Sequence, residues 1–339
     1  MEKPLLRFTE KGIYCEAADV YLDPWRPVDK ALITHGHSDH SRWGHRRYIT
    51  HHRNVPIVKH RLGQVAISGI DWNETLMING VRFSFHPAGH IIGSSQIRVE
   101  HQGEVWVFTG DYKTETDGLT TPYQPLKCHT FITECTFGLP AFRWRPQSEV
   151  ATAINSWWAE NKANGQTSVL FGYSLGKAQR LLHLLDPSIG KIFTHGAVEN
   201  MNAVLRGVVD LPPTELITKS TPKEALTGNM VIAPPSAHGS SWIRKMTPFV
   251  TASASGWMAF RGARRRRALD KGFVLSDHCD WGGLLEAISA TGATKVICTH
   301  GYTDIFSRFL REKGYDARTE NTQFEGETPD VETENQNVG

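Results

Sequence analysis

Three histidines and an aspartate fall within six residues at His35-Gly36-His37-Ser38-Asp39-His40. They follow the short apolar run Ala31-Leu32-Ile33-Thr34, so they read as an irregular loop at a strand end, where all four side chains can point into one cavity. Neutral imidazole and carboxylate are the donors that zinc, manganese and iron take. A solvated, histidine-rich turn is the plain alternative, and donors further along the chain argue against it. His90, in Pro87-Ala88-Gly89-His90, suits a third ligand of a first ion. Asp111, in Thr109-Gly110-Asp111-Tyr112, could bridge two ions through its two oxygens, and His300, in Thr299-His300-Gly301, could complete the second. Any one of these alone would more often be an ordinary surface or core residue. Their joint occurrence, each at a strand end beside small residues, carries the metal reading.

Such a constellation needs strands to hold it. Apolar runs at 31–34, 105–108 and 130–133 each stop at a polar or ionisable residue, and Val81-Arg82-Phe83-Ser84-Phe85 alternates as a half-buried strand does. That is how α/β and sandwich folds place chemistry at strand ends. The character changes near Pro146. Residues 148–158 have helical spacing with Ser148 as N-cap, and strand runs at 168–171, 191–194 and 230–233 then alternate with a helix from Lys177 to Leu185 that stops at Asp186-Pro187. This alternation predicts a small parallel-sheet domain over 146–265. Strand-end chemistry returns at 273–278 and 294–300. The expected organisation is a first domain over 1–145, the inserted domain over 146–265, a return to the first domain over 266–320, and a tail over 321–339. That tail is Gln-, Asn-, Thr- and Glu-rich, with little to bury, and reads as acidic and disordered.

The 339 residues exceed what one hydrophobic core usually organises, which fits two domains or one with a large insertion. With 40% hydrophobic and 21% charged residues the chain reads as soluble and globular. The N-terminal segment has no apolar h-region, and no stretch approaches the ~18 apolar residues of a membrane helix, so neither a signal peptide nor a membrane partner is expected. Five cysteines without paired spacing fit a reducing cytoplasm better than a disulfide framework, and no CxxC offers a zinc ribbon. A net charge of +2 implies no partner by itself.

The pattern HxHxDH, then Gly89-His90, then Gly110-Asp111, resembles motifs two to four of the metallo-β-lactamase superfamily, and Asp23 in Tyr21-Leu22-Asp23-Pro24 resembles motif one. Thr133-Glu134-Cys135-Thr136-Phe137-Gly138, Ser276-Asp277-His278-Cys279-Asp280 and Thr299-His300-Gly301 resemble motifs A, B and C of its β-CASP nuclease group. The resemblance covers the whole chain except the tail. It implies an α/β fold, an αββα sandwich with an inserted β-CASP α/β domain. It also implies two divalent metal ions, zinc or manganese. His35, His37, His90 and Asp111 would hold one ion and Asp39, His40, Asp111 and His300 the other, with Asp23 supporting the metal loop without binding. Group members cleave phosphodiester bonds in RNA or DNA. A histidine at motif C is typical of RNA-directed members. The stretches at 21–28, 173–180 and 255–258, and the compact length, instead resemble bacterial ligase-associated DNA exonucleases, so DNA is favoured over RNA and 5′→3′ exonuclease action in DNA repair is expected. DNA ligase and helicase partners follow only from that resemblance.

Within this frame Asp39 and Asp111 hold the catalytic ions, His278 is the candidate general acid, and Glu134 would accept a hydrogen bond from its other ring nitrogen. A strand-end carboxylate capping a helix is the plainer reading of Glu134. The loop Gly172-Tyr173-Ser174-Leu175-Gly176-Lys177-Ala178 is not a Walker A sequence, but its amides, Ser174, Lys177 and Arg180 could hold a substrate phosphate. Ser255 and Gly256 could cradle another, Trp257 could stack on a base, and Arg261 with Arg264 to Arg267 could track a backbone, unless that run is only a solvated face. The alternatives are a β-CASP ribonuclease, resembling the RNA endonucleases of mRNA 3′-end processing, a small-molecule hydrolase of the same superfamily, and a non-catalytic binding module. The inserted domain and motif A argue against the small-molecule enzyme. The complete ligand set argues against the non-catalytic module.

Overall fold

A computed structural model describes residues 4–324. The chain divides into two compact units, one holding the chain up to Arg143 and resuming at Asp277, the other running Trp144–Ser276.

The first unit opens with six strands that pair in chain order: β1 (Arg7–Phe8), β2 (Ile13–Cys15), β3 (Val20–Leu22), β4 (Lys30–Leu32), β5 (Arg47–His51) and β6 (Ile67–Ile70). Pairing is antiparallel as far as β3 and parallel from there. The helix α1 (Val55–Leu62), with Pro56 in its first turn, makes the β5–β6 crossover. A second sheet follows with β7 (Thr75–Ile78), β8 (Val81–Pro87), β9 (Ser95–His101) and β10 (Glu104–Phe108), a run of antiparallel hairpins, and β11 (Thr130–Cys135), which joins β10 in parallel.

The second unit is one parallel sheet in the order β14-β13-β15-β12-β16-β17. Its strands are β12 (Thr167–Phe171), β13 (Ile192–Thr194), β14 (Glu215–Leu216), β15 (Met230–Ala233), β16 (Phe249–Ala254) and β17 (Lys271–Phe273). Its helices are α2 (Gln147–Ala163), α3 (Lys177–Leu184), α4 (Gly196–Leu205) and the short α5 (Lys223–Leu226), α6 (Ser241–Arg244) and α7 (Arg261–Arg266). Ile154, Trp157 and Trp158 of α2 pack with Leu170, Ile232 and Ala252 of the sheet. The N-cap of α2 is Pro146 rather than Ser148, and it supplies no side-chain bond. The pairing of β17 with β16 carries this unit to Ser276, past the expected return at 266. It also ends the strand at Phe273, so Asp277 and His278 lie in irregular chain.

The first unit then resumes with α8 (Trp281–Thr291), β18 (Lys295–Gly301), α9 (Thr303–Glu312) and β19 (Asp316–Thr319). β18 adds in parallel to β11, which completes a seven-stranded sheet in the order β19-β18-β11-β10-β9-β8-β7. Ile13, Val20 and Leu22 of one sheet share a core with Phe83, Phe85, Val99 and Ile132 of the other, so the sheets stack face to face. Val58 and Leu62 of α1 pack on Ala31, beside β4 and β5, and Leu284, Ile288, Phe306 and Leu310 of α8 and α9 pack on Val107, Phe131 and Val296. The unit is an αββα sandwich, built as two sheets that bury their inner faces against each other and their outer faces under helices. Asn321, Thr322, Gln323 and Phe324, assigned to the tail by composition, belong to this unit because Phe324 is buried in the core between the sheets. The rest of the expected tail, 325–339, lies outside the described residues. No helix among the described residues is long and apolar enough to cross a membrane.

Candidate metal centre

The histidine loop leaves β4 and is organised by one carboxylate. Asp23, fully buried just after β3, accepts from the Thr34 amide at 2.7 Å, from the Thr34 hydroxyl at 2.5 Å and from His40 Nδ1 at 2.7 Å. It therefore ties the start of the loop to its end, from a position 17 residues before His40 in sequence. Burial raises the Asp23 carboxyl above its usual range, although His40 and Thr34 pull the other way. From α1, Arg61 donates to the Gly36 and Ser41 carbonyls at 2.7 and 3.3 Å and holds the outside of the loop.

The donor atoms converge inside. His37 Nδ1 lies 3.1 Å from both His35 Nε2 and His90 Nε2. Asp111 Oδ2 lies 3.5 Å from His35 Nε2 and 3.7 Å from His90 Nε2. The other Asp111 oxygen, Oδ1, lies 3.4 Å from His40 Nε2, and that nitrogen is 3.6 Å from Asp39 Oδ2. One carboxylate thus presents one oxygen to two imidazoles, His35 and His90, and the other to a third, His40. Two turns make this approach possible. Gly89, at φ +74°, lies where a Cβ would sit 2.3 Å from the Lys113 carbonyl, and Gly110, at φ +56°, where it would sit 2.6 Å from Thr34 Oγ1.

Bonds at the far side of each ring set the tautomers. The His90 Nδ1 proton goes to the Asp277 carbonyl at 2.7 Å, that of His40 to Asp23, and that of His35 to Thr34 Oγ1 at 3.0 Å, since this hydroxyl gives its own proton to Asp23. The three Nε2 atoms are left facing inward, the arrangement that carboxylate–histidine pairs give a ligating imidazole. The donor set fits a divalent cation. Ligand atoms ~2.0–2.1 Å from a tetrahedral zinc stand about 3.3 Å from one another, close to the spacing here. His40 Nε2 is buried without a hydrogen-bond partner. The electrostatics agree. Burial, then neighbouring His40, pushes His35 well below the usual imidazole range, and burial, then His278, does the same to His90, so both are neutral at pH 7, the form in which an imidazole can take a metal. Burial opposes charge on Asp111 and on His40, yet each is held in its charged form by the other, with Asp39 adding to the pull on His40. The carboxylates call for positive charge at this point, which a proton on His40 supplies in the metal-free protein.

Asp111 also groups with Glu134 and His278. Glu134, buried at the end of β11, accepts His278 Nδ1 at 2.7 Å, the Tyr112 amide at 3.1 Å and the Thr136 amide at 3.2 Å, with the Thr136 hydroxyl as a further donor. It caps no helix. It orients one imidazole and the two turns that follow β10 and β11. The His278 ring lies 4.7 Å from the His90 ring. Asp39 and His300 fall outside the three clusters of potential ligands among the described residues. The Asp39 carboxylate lies 3.6 Å from His40 Nε2, and His300 is half-buried near the end of β18, its carbonyl accepting from Cys135 Sγ at 2.9 Å.

In the second unit, Ser174, Lys177 and Arg180 are all buried. Lys177 Nζ donates to the Leu275 carbonyl at 2.9 Å, and Arg180 donates to Gln147 at 2.7 Å and to the Ser276 carbonyl at 2.5 Å. These cations hold the chain leaving β17 against α3, a role that spacing alone could not distinguish from phosphate binding. Ser255 caps the turn Gly256–Ala259 through the Trp257 amide at 3.3 Å, with Gly256 and Trp257 buried, whereas Arg261 is exposed at the start of α7.

Sequence reasoning missed three contributors. Thr34 carried no signal beyond its place before the loop. The buried pair Lys113–Asp117, joined at 2.5 Å, stiffens the turn after Asp111, and the lysine two residues past Asp111 was its only mark. Phe324, a lone aromatic in a polar run, stacks on His40 at 4.2 Å.

No family model matches the chain. The probable DNA ligase of Opitutus terrae is 30% identical over 311 residues, 90% of this chain but 30% of that protein. Endoribonuclease ysh-1 of Neurospora crassa is 35% identical over 128 residues, 37% of this chain and 15% of that protein. The chain belongs to the β-CASP nuclease group of the metallo-β-lactamase superfamily. A solved protein of unknown function from Enterococcus faecalis V583 shares the fold, with a TM-score of 0.59 over 87% of this chain and 80% of that one, at 12% identity. This β-CASP chain spans less than a third of the length of the bacterial relative and less than a fifth of the fungal one.

Proposed function

We propose that this protein is a two-metal nuclease that hydrolyses phosphodiester bonds, acting on DNA in preference to RNA and as a 5′→3′ exonuclease in DNA repair. The observation that supports it most is the division of Asp111, Oδ2 toward His35 and His90 and Oδ1 toward His40. DNA is favoured because the match to a protein named a probable DNA ligase runs through 311 residues, whereas the endoribonuclease match runs through 128. A ligase and a helicase as partners, and a reducing cytoplasm for five free, buried cysteines, belong to the same reading.

In this reading His35, His37, His90 and Asp111 hold one ion, and Asp39, His40, Asp111 and His300 the other. Two divalent cations, zinc or manganese, supply Lewis acidity and a water acidic enough to ionise near neutrality. The chain's own residues do the rest. His278, gripped through Nδ1 by Glu134, donates the proton on Nε2 to the departing oxygen. The Ser255-Gly256 turn cradles a substrate phosphate, Trp257 stacks on a base, exposed Arg261 follows the backbone, and Ser174, Lys177 and Arg180 shape the β12–α3 turn.

The deciding experiment is a time course on matched single-stranded DNA and RNA, each labelled at the 5′ or the 3′ end, with manganese and with zinc. The expected outcome is early release of mononucleotide from 5′-labelled DNA with RNA spared. A second reading, a ribonuclease, is favoured by His300 at motif C and by the fungal match. Preferential RNA cleavage would establish it, and cleavage of neither substrate would sink the nuclease reading.

A further inference from the structure

The segment after β19 is laid against the histidine loop. The Glu320 amide donates to the Cys298 carbonyl at 3.0 Å, and Thr322 Oγ1 donates to the Thr299 carbonyl at 3.0 Å, just before His300. Arg42 then bridges segment and loop, with Nη2 on the Gln323 carbonyl at 2.6 Å and Nε on the Asp39 carbonyl at 3.3 Å. At the end of this strap the Phe324 ring lies flat on the His40 ring, with centroids 4.2 Å apart and planes 13° apart. Trp25, 5.7 Å away and edge-on, and Phe108, 6.2 Å away, hold Phe324 in turn.

His40 needs such support. Asp23 holds Nδ1, but Nε2 is buried and makes no hydrogen bond, with Asp111 Oδ1 at 3.4 Å and Asp39 Oδ2 at 3.6 Å. With one hydrogen bond at Nδ1 and only the longer charge contacts at Nε2, the tilt of the ring is set by what packs on its faces, the His35 ring at 4.3 Å and 40° and the Phe324 ring lying flat. A parallel aromatic over its face resists the tilt, because any rotation drives imidazole edge into ring carbon, and it keeps water from the nitrogen.

We infer that Phe324 is a positioning residue of the second metal site, fixing the His40 imidazole so that Nε2 points between Asp111 and Asp39. The inference rests on the two-ion reading above and deepens it. It makes the strap at 320–324 part of the metal centre, and it separates the two sites: the cluster of His35, His37 and His90 stands on other supports, Thr34 and Asp277.

The test is a metal count on the full chain after stripping with chelator, by titration with zinc and with manganese, on the wild type, Phe324→Leu and Phe324→Tyr. Leucine keeps an apolar side chain in the core but removes the flat face, whereas tyrosine keeps it. The expected result is two ions for the wild type. Phe324→Leu should take the first at unchanged affinity and the second about ten- to a hundredfold more weakly. Phe324→Tyr should restore the second. Equal weakening of both sites in Phe324→Leu, tracked by a lower unfolding midpoint of the metal-free protein, would reduce Phe324 to a core residue and overturn the inference. Unchanged binding of both ions would overturn it directly. A wild type that takes fewer than two ions would defeat the two-ion reading itself, and the inference with it, a failure visible before any variant is compared.

Discussion

At the scale of single residues the centre is a set of lone pairs aimed by bonds made elsewhere. Asp23 binds no ion in this reading, yet it fixes both the Thr34 turn and the His40 tautomer. Asp23→Asn can no longer accept from both without losing charge, so metal affinity is expected to fall about 10- to 100-fold, read by competition with a chromophoric chelator. His278 differs in kind. Its Nδ1 is committed to Glu134 at 2.7 Å, and its place beside His90 suits proton delivery. His278→Ala is expected to lower turnover about 10²- to 10⁴-fold while the metal content stays at the wild-type value. A variant that comes off the column stripped of metal would instead make His278 a ligand.

At the scale of elements, each strand end delivers one donor and each following turn has to let it approach its neighbours. Gly110 shows this most sharply, since its left-handed backbone and the Thr34 hydroxyl 2.6 Å from a would-be Cβ both exclude a side chain. Gly110→Ala is expected to destabilise the first unit by on the order of 1–3 kcal/mol and to lower metal affinity with it, checked by thermal unfolding with and without zinc. The stretch that closes the metal loop into β5 carries a pH dependence. Burial lowers His45 to about 4, and both its ring nitrogens lack hydrogen-bond partners. Burial, then Arg53, lowers His51 to about 4 as well, with the ring stacked on Trp72 at 3.7 Å. The unfolded chain binds these protons near pH 6.5 and the folded chain only near 4. Stability from the two rings is therefore complete above about pH 6.5 and lost as pH falls toward about 4. Denaturant midpoints between pH 7 and 4 should decline in the wild type and decline less in His45→Gln, where one proton is removed from the balance.

At the scale of the whole molecule, ions that bind only the folded chain stabilise it by mass action. At a hundredfold excess over its dissociation constant each ion contributes about 2.7 kcal/mol, so the unfolding midpoint is expected to rise with added zinc and to fall with chelator. Binding of nucleic acid should depend on salt through the exposed cations of α7. Reversing Arg261 and Arg265 to glutamate is expected to flatten the slope of log affinity against log salt by roughly 0.7 for each phosphate no longer neutralised on a single strand. An unchanged slope would make α7 a solvated face.

The sandwich and the residues that cluster in the candidate centre were legible in the chain, because ligand chemistry admits few residue types and strands that end at such residues repeat a simple pattern. HxHxDH, Gly89-His90, Gly110-Asp111 and Glu134 announced themselves without any coordinates. What tertiary structure decided was which atoms meet and which cations are free. Lys177 and Arg180 look like phosphate ligands in one dimension and are buried against the Leu275 and Ser276 carbonyls in three. Phe324 looks like the start of a polar tail and lies on the metal loop, at the far end of the chain from its partner His40. Local spacing reports what a residue can do chemically. Burial and long-range pairing, which depend on every other element being in place, determine whether it is available to do it.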